Sequence, residues 1–111
     1  LLSDIGSLEL PAPATDYAEN IYWVFGLVLK EEYPPDRDAI RESLNQCQIG
    51  TRPFFWPMHQ QPVFEKMGLF SDQSHPVAER IARRGFYIPS GLSLTDRKMD
   101  KVSQAIHAVL Q

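Results

Sequence analysis

Ile21-Tyr22-Trp23-Val24-Phe25-Gly26-Leu27-Val28-Leu29 is the stretch on which the fold turns. Aromatic and β-branched residues fill it, the composition of a strand. It is apolar almost throughout rather than alternating, so the reading is a strand covered on both faces. It is far short of the ~20 residues of a membrane span. Tyr33-Pro34-Pro35 ends it. Asp36 then stands where its carboxylate can cap a helix. Ala39, Ile40, Ser43, Leu44 and Cys47 recur at three- and four-residue spacing, one apolar helix face that stops near Gly50. On this reading Cys47 packs in the core and is no nucleophile.

Working outward, the C-terminal half repeats the pattern. Ser74 can cap a second helix with Pro76 in its first turn, and Val77, Ala78, Ile81 and Ala82 make its buried face. Gly85 ends that helix in the C′ role. Phe86-Tyr87-Ile88-Pro89 is a short strand, Ser90 and Gly91 turn the chain, and Thr95 caps a last helix through Met99, Val102, Ala105, Ile106 and Val109. Two strands make too small a sheet. Part of 49–55 supplies a third, which Pro53 confines to an edge. On the N-terminal side, Leu1, Leu2, Ile5 and Leu8 read as a buried tail before Pro11 and Pro13, so residues 1–19 are a lead-in segment. The expected fold is α/β (α+β): a small sheet of two to three strands packed with helices over residues 20–111.

Composition narrows the function. The 111 residues suit one domain, and 11 Lys plus Arg against 14 Asp plus Glu leave a net charge of −3. That balance argues against nucleic acid and membrane surfaces as partners. Arg80, Arg83 and Arg84 read as a solvated helix face. The single Cys47 excludes a disulfide within the chain and fits a reducing, cytoplasmic location. No signal peptide is visible. The chain starts at Leu1 rather than Met, which reads as a piece of a longer protein.

The irregular run Thr51-Arg52-Pro53-Phe54-Phe55-Trp56-Pro57-Met58-His59-Gln60-Gln61-Pro62 is the candidate site. Its prolines forbid regular structure, and loops presenting Arg, His and aromatics are where binding residues concentrate. Arg52 can clamp a phosphate or carboxylate with two parallel N–H bonds. His59 can donate to a phosphate or sugar oxygen, or move a proton near neutral pH. Trp56, Phe54 and Phe55 can stack on a ring or a partner subunit. The same residues read equally well as structure: Phe54 and Phe55 in the core, Arg52 in an exposed ion pair, His59 a structural hydrogen-bonder. His75 reads as part of a helix start and His107 as surface. No metal-ligand spacing, nucleophile elbow, phosphate loop or desolvated lysine is present, so no catalytic, cofactor-binding or metal-binding residue is assigned.

Four motifs in order carry a family resemblance over residues 20–110. They are Asn20-Ile21-Tyr22-Trp23-Val24-Phe25; Ile49-Gly50-Thr51-Arg52-Pro53-Phe54-Phe55 with Pro57-Met58-His59-Gln60-Gln61-Pro62; Pro76-Val77-Ala78-Glu79-Arg80-Ile81-Ala82; and Ile88-Pro89-Ser90-Gly91 with Leu94-Thr95. Together they resemble the C-terminal part of the DegT/DnrJ family of pyridoxal-phosphate-dependent sugar aminotransferases, and the second motif is most similar to its perosamine synthases. The resemblance implies the small C-terminal domain of the aspartate-aminotransferase (fold type I) architecture. It implies a homodimer that takes an amino group from glutamate and delivers it to a nucleotide-linked 4-keto-6-deoxy sugar for polysaccharide biosynthesis. The large cofactor-bearing domain, with its Schiff-base lysine, is absent from these residues, so no cofactor is expected on this chain and the piece alone is expected to be inactive. Near the sugar-nucleotide pocket the resemblance favours Arg52, His59, Trp56 and Phe54 as substrate contacts. Two alternatives stand beside it: a non-catalytic regulatory or dimerisation module, and a sugar dehydratase of the same fold.

Overall fold

A computed structural model describes residues 1–34 and 36–111 of the chain; Pro35, read as part of the strand stop, lies outside them. The elements are β1 (Leu8–Glu9), β2 (Phe25–Leu29), α1 (Arg37–Gln46), β3 (Arg52–Pro53), a 3-10 turn (Met58–Gln60), α2 (Pro62–Lys66), α3 (Pro76–Arg84), β4 (Gly85–Ile88) and α4 (Asp96–Leu110). The strands form one antiparallel sheet in the order β1-β2-β4-β3. The fold is α+β, with four strands rather than two to three. The additional strand is β1, which lies in the lead-in segment. It pairs Leu8 with Leu29 and Glu9 with Val28. Two residues are too few to show a period, so the sequence pattern could not mark it.

One face of the sheet carries the core. Leu27, Leu29, Phe86 and Ile88 are buried there with Leu8, against Ile40 and Leu44 of α1 and Val102, Ile106 and Leu110 of α4. Leu2, Ile5 and Ile49 close its margins. The register Leu27↔Phe86 puts two fully buried side chains side by side.

β2 begins at Phe25, not Ile21, and its first expected residues are outside the sheet. Ile21 is 87% exposed and Trp23 75%. Asn20 is the reason. Its amide donates to the Ala12 carbonyl, its Oδ1 accepts the Tyr22 N–H at 2.7 Å, and its own N–H donates to the Pro13 carbonyl. Such local side-chain bonds compete with a strand ladder. Tyr22 turns through φ 49° as a result. Within β2, buried Leu27 and Leu29 alternate with half-buried residues, so the strand is covered fully on one face only.

Helix boundaries differ in instructive ways. Asp36 occupies the N-cap of α1 but makes no side-chain capping bond. Its C-terminus closes before Gly50: Gln48 takes φ 61°, Gln48 N–H donates to Asn45 O and Ile49 N–H to Leu44 O. That is a Schellman closure, with Ile49 and Leu44 both in the core. Cys47 sits at the C-cap and is exposed, not packed. In α3 the N-cap is His75 rather than Ser74. Val77 and Ala78 are exposed; Ala82 and Arg84 are the buried positions. Gly85 has no turn role, since its backbone is extended and the chain passes straight into β4. Thr95 does cap α4, its Oγ1 accepting the Lys98 N–H.

Of the three arginines of α3, only Arg83 faces solvent, as the sequence reading has it for all three. Arg80 forks onto Glu9 of β1 at 2.7 and 3.0 Å. Arg83 pairs with Glu31. Arg84 is buried and donates to the carbonyls of Leu29, Lys30 and Tyr33. Arg80 fastens α3 to β1, and Arg83 and Arg84 fasten it to the end of β2 and the turn beyond, which fixes the helix that carries Glu79 toward the candidate site. No helix among the described residues is long and apolar enough to cross a membrane.

Candidate functional site

β3 delivers the irregular segment to the edge of the sheet, where Pro53 costs no interior ladder bond. Arg52 lies opposite Tyr87 and Pro53 opposite Phe86, and the Phe54 N–H donates to Gly85 O. The Phe54 ring then lies over the face opposite the core. It packs 4.5 Å from the Tyr87 ring and fills the space above Gly26 and Gly85. A Cβ at either glycine would overlap that ring. Phe54 therefore has a packing role here, and its ring is occupied. Phe55 meets the edge of Tyr87 at 5.5 Å and stays largely exposed. Burial raises the Tyr87 phenol above its ordinary value.

Beyond Phe55 the segment braces itself. The Trp56 indole N–H donates to Gln60 O at 2.8 Å, and the Gln61 amide donates to Trp56 O at 2.9 Å. These bonds close the 3-10 turn and hold Trp56 half out of the surface, 50% exposed. On the other side of the turn His59 points inward. Its Nε2 is 2.8 Å from Glu79 Oε1, and its side chain is only 8% exposed. The same Glu79 oxygen accepts the His75 N–H at 2.8 Å, and the His75 ring stands edge-on to His59 at 4.8 Å. That backbone N–H first, and His59 second, hold the Glu79 carboxyl below its ordinary value. His59 also lines a cleft of about 330 Å³ with Gln60, Glu65, Phe70, Ser71 and Gln73.

The four candidate residues thus divide. Arg52 is exposed and makes no ion pair among the described residues, leaving its guanidinium available. Trp56 and His59 share one braced turn. Phe54 belongs to the sheet. Sequence reading missed Glu79, Tyr87 and the two glycines. Gly26 stood inside a strand-like run, where an isolated glycine signals close approach of another group, and that was the available clue; Gly85, at the end of a helical run, read as a helix stop and gave none. His107, read as surface, is held by Asp4 at 3.0 Å and the Ser103 carbonyl at 2.8 Å. No group of three or more His, Cys, Asp or Glu among the described residues could hold a metal ion.

The helix-backed antiparallel sheet has structural counterparts among aminotransferases. The aminotransferase TlmJ from Streptoalloteichus hindustanus superimposes with a TM-score of 0.81 over 98% of this chain and 28% of its own, at 23% identity. This architecture is the C-terminal domain of fold-type I aminotransferases. The chain belongs to the DegT/DnrJ/EryC1/StrS aminotransferase family, whose profile matches residues 1–107. It is similar to the GDP-perosamine synthase of Vibrio cholerae, 28% identical over 85 residues that make 77% of this chain and 23% of that protein. It is also similar to the dTDP-3-amino-3,4,6-trideoxy-alpha-D-glucose transaminase of Micromonospora megalomicea subsp. nigra, 33% identical over 98% of this chain and 28% of that protein. The chain thus spans about a quarter of the length of these relatives.

Proposed function

We propose that this chain is the sugar-facing C-terminal domain of an aminotransferase, a homodimer in the cytoplasm, that moves an amino group from glutamate to a nucleotide-linked 4-keto-6-deoxy sugar of the perosamine type. The observation that carries this is the braced turn: Trp56 and His59 are held by Gln60, Gln61 and Glu79, beside an Arg52 with no ion-pair partner among the described residues. Arg52 supplies a bidentate donor for a diphosphate, Trp56 a face for a base or sugar ring, and His59 a polar contact to a hydroxyl. Exposed Phe55 and Met58 beside them suit a surface completed by further protein.

Pyridoxal phosphate, the cofactor of this family, supplies the carrier for the amino group. The residues present do not fit a site for it. Lys66, Lys98 and Lys101 are exposed and Lys30 is half-buried at the end of β2, so none is desolvated as a Schiff-base lysine must be. On this reading the cofactor and its lysine belong to the length that the relatives have beyond the matched quarter. The likeness to the dTDP-sugar transaminase, closer in identity and wider in coverage, supports a second reading with a dTDP-linked substrate.

The test uses the longer enzyme with GDP- and dTDP-linked 4-keto-6-deoxy sugars. The GDP sugar is expected to be aminated at the expense of glutamate, and His59→Ala to raise KM for the sugar about tenfold or more while leaving KM for glutamate unchanged. Turnover of the dTDP sugar alone would select the second reading. No glutamate-dependent change in the cofactor absorbance would remove both.

A further inference from the structure

Glu79 lies on α3, a helix that no candidate residue occupies, yet it makes the one hydrogen bond that His59 has among the described residues. The cluster around His59 comprises Glu79, the His75 ring and, through His75 Nε2 at 3.2 Å, Gln73, with Glu65 on the wall of the same cleft. Within it only Glu79 touches the His59 ring by a hydrogen bond. We propose that Glu79 is a positioning residue for His59: it accepts the Nε2–H, fixes the ring in that tautomer, and leaves Nδ1 as the atom offered to a sugar hydroxyl.

The chemistry is one-sided. A carboxylate accepts hydrogen bonds and donates none. Glu79 stays ionised at neutral pH because the His75 N–H and His59 both favour its charged form. The bonded nitrogen, Nε2, must then carry the proton whether the ring is neutral or charged. Nδ1 has no hydrogen-bond partner among the described residues, on a side chain 8% exposed, and it is not sealed from solvent. In the neutral ring it is a lone-pair acceptor, which suits a hydroxyl donor and disfavours an anionic oxygen. Glu79 is itself tied by the His75 N–H to the first turn of α3, and α3 is fastened to the sheet by Arg80 and Arg84. The ring is thus aimed from the sheet through a helix.

This inference rests on His59 being a sugar contact, and its test separates the two. Long-range proton–nitrogen spectra of the labelled chain at mildly alkaline pH read the tautomer directly. Wild-type His59 is expected as Nε2–H. Glu79→Gln, whose amide can donate as well as accept, is expected to give a mixture or the Nδ1–H form, and Glu79→Asp to keep Nε2–H. An Nδ1–H ring in the wild type overturns the proposal without any variant, as does an unchanged ring in folded Glu79→Gln. In the longer enzyme Glu79→Gln is expected to raise KM for the nucleotide sugar about tenfold, with KM for the amino donor unchanged. A His59→Ala enzyme with normal sugar KM overturns the substrate contact and the part of this proposal built on it. A weakened His59→Ala enzyme beside a Glu79→Gln enzyme with wild-type KM overturns the role of Glu79 alone.

Discussion

The two faces of the sheet are built from the same strands and do opposite things. On one face Leu27, Leu29, Phe86 and Ile88 are sealed under α1 and α4. On the other, the intervening residues are Gly26, Val28, Gly85 and Tyr87, and one aromatic ring, Phe54, is laid over the glycines. The first face is packed by large side chains of its own. The second is bare at Gly26 and Gly85, so that a side chain arriving from the edge strand can lie flat on backbone there, against the Tyr87 ring. The lesson is that β2 and β4 hold the fold together on one side and place the candidate loop on the other, without a residue common to both tasks.

The largest expected effect breaks the first face. Phe86→Ala removes a fully buried ring beside Leu27 and is expected to cost about 3–5 kcal/mol of stability, measured by urea unfolding. A loss below ~1 kcal/mol would mean that the face is not the principal core.

The second prediction tests the bare face. Gly26→Ala meets only the far end of the Phe54 ring, whereas Gly85→Ala also brings a Cβ to 2.5 Å from the Ile81 carbonyl. Gly26→Ala is expected to cost about 1–3 kcal/mol as overpacking. The cost should largely vanish in a Phe54→Ala background, while that of Gly85→Ala should persist. A double-mutant cycle by chemical unfolding decides it, and additive effects of Gly26→Ala and Phe54→Ala would break the comparison.

The smallest effect sharpens the margin of the core face, where Leu2 and Ile5 are held near a surface clasp between Asp4 and His107. The Ser103 carbonyl, then Asp4, raise His107 above its ordinary 6.5. Its contribution is therefore fully present below about 6.5 and is lost as pH rises through the higher folded value. Asp4 is lowered from 3.8, chiefly by His107, so its contribution is present above that value and is lost in acid. Thermal melts are expected to show the wild type losing more Tm than His107→Gln between pH about 5.5 and 8.5. Equal losses would show that the clasp contributes nothing to closing that margin.

Much of this was readable in the residues. The core strand from Phe25 onward, the apolar positions Ile40, Leu44, Val102 and Ile106, the Thr95 cap and the edge placement of Pro53 all follow from local composition and period, and the ordered motifs pointed to the family. The misreadings share a cause. Ile21, Trp23, Val77 and Ala78 are apolar residues in apolar company, and periodicity cannot tell which side of an element another element covers. Cys47 kept the helical spacing but fell one residue past the end of α1, where a left-handed Gln48 had already stopped the helix.

What the sequence determined by itself was the alphabet of elements, because strand, helix and turn preferences are properties of neighbours within a few residues. Only the tertiary structure decided that Phe54 is spent on Gly26 and Gly85, that Arg80 and Arg84 anchor a helix rather than face water, and that Glu79 holds His59. Each of these joins residues about 20 to 70 positions apart, and such contacts follow from how the layers stack. The long apolar stretch announced a sheet; which of its side chains would be covered was settled by the elements packed on either face.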